Sequence, residues 1–346
     1  MVRKISLISL SCGLMGEPFV KHELEQGIER LNAYGFKVCY TPNAMKGIDY
    51  LDEHPEERAQ DWLEAFADPE TDMILCAIGG DDTYRLLPYL FENNELKNVL
   101  TDKIFLGFSD TTVNHLMLHK LGMRSFYGQA FLPDVCELAD EMLPYTRQCF
   151  EELTRTGRIG EIRPSEFWYE ERKDFSPAAI GTDRVRHPNH GFELLQGSPR
   201  FSGEILGGCI ESMCDLLEPE KDKYQKAVEL NQRYALFPSA EDWRGKILLL
   251  ETSEEQPEPE YYRRMVRILK KRGIFDAVSG VICGKPMDEK YNDEYRRILT
   301  EEIGNAELSV VWNINVGHAT PRCIIPLGVP ATVDVKDQVI SFHYED

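Results

Sequence analysis

Lys103-Ile-Phe-Leu-Gly-Phe-Ser-Asp-Thr-Thr-Val-Asn-His-Leu-Met-Leu-His-Lys-Leu-Gly122 reads as a strand, a sharp turn and a helix. Ile104, Phe105 and Leu106 form the short apolar run of a buried parallel strand. Gly107 frees the chain to turn, and Asp110, Thr111 and Thr112 are residues that open helices. Val113, Leu116, Met117 and Leu121 recur at helical spacing, and Gly122 is a natural stop. Ser109 therefore falls on the corner between strand end and helix start. There its hydroxyl projects from the carboxyl edge of a sheet, beside the free N–H groups of the first helical turn. Nucleophile elbows have this form. Taken alone, the stretch favours Ser109 as a simple helix cap.

Around this unit, strands and helices alternate. Strands are expected at 4–10, 36–40, 73–78, 104–106 and 125–127, and helices at 23–34, 56–67, 84–91 and 143–153. That order predicts an α/β fold, with a parallel sheet covered on both faces. Ligands on such sheets bind beyond the carboxyl ends of the strands, where Ser109 and Gly79-Gly80 both fall. Residues 155–201 are rich in Gly, Pro and charge and read as a linker or functional loop. A second unit follows, with strands at 246–250, 277–283 and 308–316, helices at 260–272 and 288–303, and a closing hairpin around 336–338. The charged stretch 218–243 reads as a surface excursion. The division expected is 1–155, 156–200 and 201–346, in keeping with a chain of 346 residues.

Composition narrows the partners. The 39 basic and 59 acidic residues leave a net charge of −20, which disfavours nucleic acid and anionic membrane. Nine cysteines without CxxC or Cys/His spacing point to a reduced, cytoplasmic protein with no metal site. Met1-Val-Arg-Lys4 and the run after it mimic a signal peptide. The run is short and broken by serines, and reads as the first strand.

Three further stretches carry chemistry. Gly79-Gly-Asp-Asp-Thr83 lies between a strand and a helix, where paired glycines let backbone amides approach a ligand. It serves as a phosphate cradle, half an oxyanion hole, or a tight turn. It resembles the Gly-Gly-Asp-Gly-Thr of NAD kinases and diacylglycerol kinases, a match weakened by Asp82 in place of the third glycine. Leu248-Leu-Leu-Glu-Thr252 sets Glu251 at the end of a buried strand, costly unless paired. Val316-Gly-His-Ala-Thr-Pro-Arg-Cys-Ile-Ile-Pro-Leu-Gly328 fixes His318 after a strand, between Gly and Pro, as a candidate general base. A serine nucleophile needs a base within reach, and the base needs a carboxylate to fix its tautomer. Ser109, Glu251 and His318 supply that set.

These motifs resemble the LD-carboxypeptidases. Gly-Phe-Ser109-Asp is similar to their Gly-Tyr-Ser-Asp turn, Leu-Leu-Leu-Glu251 to their strand-borne Glu, and Gly-His318-Ala-Thr-Pro…Pro-Leu-Gly to their His motif. The resemblance implies a cytoplasmic, homodimeric serine peptidase that uses no cofactor or metal. It also implies a Rossmann-like N-terminal domain and a mostly β C-terminal domain. The implied roles are Ser109 as nucleophile, His318 as base and Glu251 as its orienting carboxylate. The oxyanion hole is expected at the N–H groups of Gly80 and Asp110, with Gly79 at the substrate. Length, the 80–89 stretch and Trp168 in the middle loop resemble the microcin C self-immunity (MccF-like) branch. Its substrates are peptidyl or aminoacyl nucleotides, and Trp168 would contact the base. The alternatives are a murein tetrapeptide carboxypeptidase, a phosphotransferase built on 79–83, and a catalytically dead binding protein. Cys209 stands where the family commonly has Asn.

Overall fold

The computed structural model describes residues 1–344. Two sheets organise the chain. In the first the strands run in the order Ile325–Leu327, Ser125–Tyr127, Ile104–Gly107, Met73–Cys76, Lys4–Ile8, Lys37–Tyr40. Its five N-terminal strands pair in parallel. The sixth, Ile325–Leu327, returns from the C-terminal part and pairs antiparallel with Ser125–Tyr127. Lys4–Ile8 sits between two neighbours, as its apolar run predicts for a central strand.

The second sheet has eight strands, in the order Glu161–Ile162, Val339–Phe342, Pro330–Asp334, Arg200–Cys209, Ile247–Glu251, Gly280–Gly284, Ser309–Ile314, Glu193–Gln196. Arg200–Cys209 and the next three run parallel. Helices Pro259–Lys271 and Asn292–Ile303 make the crossovers and pack on each other. Alternation places neighbours on opposite faces. Leu248 and Leu250 join one apolar cluster with Ile74, Phe105 and Trp62, whereas Ile247 and Leu249 join another with Met73, Leu75 and Ile325. Each cluster thus draws on both sheets, so their carboxyl edges are held at a fixed separation.

Two stretches are more ordered than their composition suggests. Residues 156–200 carry four short strands. Two of them, Phe167–Tyr169 and Arg186–Pro188, form a separate antiparallel hairpin, and the other two extend the second sheet. The stretch 218–243 is not only a surface excursion: Tyr224, Ala227, Leu230, Leu236 and Trp243 are buried. Helix Gln225–Tyr234 is amphipathic, and its polar face dominates the composition. No helix among the described residues is long and apolar enough to cross a membrane.

Candidate active site

The strand Ile104–Gly107 ends, Phe108 stays extended, and Ser109 turns the chain with φ of +65°. Left-handed backbone is unfavourable for serine, so its neighbours must hold it. They do so from both sides. Ser109 N–H donates to the Tyr127 hydroxyl at 3.1 Å, and the Thr112 hydroxyl donates to the Ser109 carbonyl at 2.7 Å. Thr112 also accepts the N–H of Cys209, tying the elbow to the second sheet. Gly79 closes the opposite wall. A Cβ there would lie 2.6 Å from Ser109 Cβ and 2.7 Å from its Oγ, so glycine alone fits.

Glu251 ends the strand Ile247–Glu251 and is 2% exposed. The expected cost of burying it is met by three donors. Tyr127 O–H donates to Oε1 at 2.6 Å, and Oε2 accepts both the His318 backbone N–H at 3.2 Å and Nδ1–H at 2.7 Å. That carboxylate fixes the tautomer, leaving Nε2 3.1 Å from Ser109 Oγ. Arg322 braces the loop. Its guanidinium donates to the carbonyls of Gly317 and His318, pairs with buried Asp134 at 3.1 Å, and lies over the Phe108 ring. The fold thus brings Ser109, His318 and Glu251 into one line of hydrogen bonds, from chain positions far apart.

Burial pushes the His318 imidazole down. The Glu251 carboxylate, and then that of Glu254, outweigh burial and raise it to about 10. Glu254 Oε2 lies 2.9 Å from Nε2.

The N–H groups of Gly80 and Asp110 donate to no acceptor among the described residues, and both residues face the cleft at Ser109. The Asp110 carboxyl instead accepts from Ser11 Oγ and Thr83 N–H, at 2.7 and 2.9 Å. Burial, only partly offset by Ser11 and Thr83, lifts Asp110 to about 6. Asp82, the residue that breaks the kinase-like pattern, is clamped by buried Arg58 at 2.6 and 2.9 Å and by Arg85 at 2.8 Å. Gly79 and the Thr83 N–H thus brace the elbow, at Ser109 and Asp110.

Two hollows meet at Ser109. The larger, about 1060 Å³, is mostly apolar and runs past Phe108, Leu132, Phe175 and His318. The smaller is lined by Asp81, Glu211, Asp215, Glu254 and Glu255, with Lys221 and Tyr224 from the 218–243 segment. Trp168 lines neither. It lies on the hairpin strand Phe167–Tyr169, stacked on His187 at 4.4 Å, with the Lys285 ammonium 4.6 Å from its ring centre. The loop that this hairpin carries reaches the larger hollow through Arg172, Phe175 and Arg184. Arg172 and Arg184 both pair with buried Glu137, at 2.6 and 2.7 Å.

Tyr127 was not among the residues expected at the site. Its one signal is its place at the end of a strand beside the elbow strand. Its hydroxyl links the Ser109 N–H to the Glu251 carboxylate. Tyr127→Phe is therefore expected to lower kcat about tenfold with KM little changed, because Glu251 loses a donor and the Ser109 N–H loses its acceptor. Steady-state kinetics on any substrate the enzyme turns over checks this, and a rise in KM alone would contradict it.

Residues 5–128 match the LD-carboxypeptidase N-terminal domain, and residues 202–333 match the LD-carboxypeptidase C-terminal domain. Over the full length of both chains the protein is 57% identical to an MccF-like protein from Streptococcus pneumoniae, solved in complex with AMP, with a TM-score of 0.98. It is 26% identical to the microcin C7 self-immunity protein MccF of Escherichia coli, over 93% of this chain and 88% of that one. It is also 26% identical to the probable murein peptide carboxypeptidase of Bacillus subtilis (strain 168), over 91% of this chain and 85% of that one. With both domain matches in place and in order, the chain belongs to the LD-carboxypeptidase family.

Proposed function

We propose that this protein is a serine hydrolase that cleaves an amide bond in aminoacyl- or peptidyl-nucleotide compounds. The observation that carries the reading is the line Ser109 Oγ–His318 Nε2 and His318 Nδ1–Glu251, at 3.1 and 2.7 Å. Ser109 Oγ attacks the carbonyl carbon while its proton passes to Nε2 of the neutral imidazole. The tetrahedral oxyanion takes hydrogen bonds from the N–H groups of Gly80 and Asp110, where one donor contributes about 3 kcal/mol. Collapse breaks the C–N bond, and Nε2–H protonates the leaving nitrogen. Water then attacks the acyl carbon and gives a proton to Nε2, and as the acyl–Oγ bond breaks Nε2–H returns that proton to Ser109 Oγ, releasing the free acid. Glu251 holds the imidazole in place and stabilises each imidazolium stage.

The nucleotide preference is supported by the AMP complex of the 57% identical relative. The apolar hollow beside Ser109 is large enough for a nucleoside leaving group. A second reading, removal of a terminal D-amino acid from a murein tetrapeptide, is favoured by the B. subtilis relative. The test is kcat/KM for an aminoacyl-adenylate amide against an L,D-tetrapeptide. Preference for the adenylate amide supports the nucleotide reading. Efficient tetrapeptide cleavage without cleavage of the amide moves the protein to murein.

Trp168 enters this reading through its hairpin. Its ring is engaged by His187 and Lys285, so Trp168→Ala is expected to lower kcat/KM for both substrates by a similar factor. Stacking on a base is worth about 1–3 kcal/mol, so direct contact would instead weaken the nucleotide substrate alone, by roughly 5- to 150-fold.

A further inference from the structure

His318 carries a carboxylate at each ring nitrogen. Glu251 takes Nδ1–H at 2.7 Å, and Glu254 Oε2 stands 2.9 Å from Nε2, the atom that must accept the Ser109 proton. The two acids could not be held more differently. Glu251 is buried and receives three donors. The Glu254 side chain is 64% exposed, and His318 is its one ion-pair partner among the described residues. Its loop is anchored just before it, where Ser253 donates through N–H and Oγ to Glu211, at 2.9 and 2.8 Å. Beyond that anchor the side chain stands in solvent apart from its contact with His318, and it faces both hollows that meet at Ser109.

The other groups around His318 do not duplicate this contact. Tyr127 acts on Glu251, and Arg322 is turned to backbone carbonyls and Asp134. Phe108 offers a ring edge at 5.1 Å, and Ser109 is neutral. Asp110 is directed at Ser11 and Thr83, Glu211 at Ser253 and Cys209, and Glu171 at Arg184 across the larger hollow. An imidazole between two carboxylates is stable as imidazolium, and an imidazolium cannot serve as the base.

We propose that Glu254 is a gate on the general base: in the ligand-free enzyme its carboxylate holds His318 as imidazolium, and a ligand seated at Ser109 frees the base by displacing it. This rests on the reading of Ser109 and His318 as nucleophile and base. As Glu254 swings out, the Nε2 proton passes to water in the open cleft, and neutral Nε2 is left facing Ser109 Oγ. Displacement leaves the Glu254 carboxylate solvated, because its side chain already stands largely in water, and salt screens that exposed end of the pair. The same coupling shows from the other side, since the hydrogen bond to His318 holds the Glu254 carboxyl down at about 2.

The test uses the full chain and a small dialkyl fluorophosphate, with covalent labelling of Ser109 followed by mass spectrometry across pH. In the wild type the labelling rate should rise with pH through a midpoint above neutrality. Glu254→Gln keeps the size and removes the charge. It should lower the midpoint by about one pH unit or more and speed labelling at pH 7 roughly tenfold or more. Raising NaCl from about 0.05 to about 1 M should move wild type in the same direction and leave the variant unmoved. An identical midpoint in the two proteins, or slower labelling of the variant at every pH, overturns the gate. Absence of Ser109 labelling from both proteins overturns the hydrolase reading, and the gate with it.

Discussion

Ser109→Ala is expected to abolish nearly all turnover, with a loss in kcat on the order of 10⁶-fold, and His318→Ala to match it. A nucleophile and its base act as a unit, so the double variant should be little worse than either alone. The Ser109 hydroxyl has His318 Nε2 as its partner at 3.1 Å, while the elbow is held by backbone contacts to Tyr127 and Thr112. Losing the hydroxyl therefore leaves the turn in place, and melting temperatures of Ser109→Ala and wild type should agree closely. Kinetics with both substrate types, beside thermal melts, checks the pair. Near wild-type kcat in His318→Ala would remove His318 from the role of base.

Glu251→Gln has the second largest expected effect, about 10⁴-fold in kcat by the behaviour of orienting carboxylates in serine hydrolases. Oε2 accepts two N–H groups of His318, and Oε1 accepts the Tyr127 hydroxyl. A carboxamide has one accepting end. If its oxygen keeps His318, its NH₂ faces Tyr127, whose oxygen already accepts Ser109 N–H. If it is reversed, two donors face His318 and the tautomer flips. In either orientation the negative charge that stabilises the imidazolium is gone. The pH dependence should change with the rate. Glu251 leads the upward pull on His318, so the base limb of kcat/KM should move to lower pH in the variant. A variant with unchanged limb and near wild-type rate would mean that Glu251 is only structural.

Much of this site was readable in the chain because its parts lie at or just beyond strand ends. Ser109, Glu251 and His318 each follow an apolar run, and a parallel sheet exposes the ends of such runs at one edge. Gly79 was equally legible, since a glycine pair between strand and helix signals close approach; its neighbour proved to be Ser109 itself. Other parts were hidden for physical reasons. Tyr127 ends a strand of three residues, too short for a periodic pattern, and its role depends on a carboxylate 124 positions away. Glu254 sits in a polar Thr-Ser-Glu-Glu turn, where one acid looks like the next until His318 is placed beside it. The 218–243 stretch looked like surface because buried Tyr224, Ala227 and Leu230 are outnumbered by charge. Trp168 was legible as a loop aromatic, but its ring partners, His187 and Lys285, come from elements the sequence does not bring near it.

The most direct measurement is the site of covalent modification during turnover or inhibition. The enzyme would be treated at neutral pH with a serine-directed phosphonate and its peptides mapped by mass spectrometry. The account predicts one adduct per chain, on the peptide carrying Ser109, absent from Ser109→Ala and strongly reduced in His318→Ala. Substrate turnover by Ser109→Ala at the wild-type rate, or an adduct confined to another residue, would contradict it.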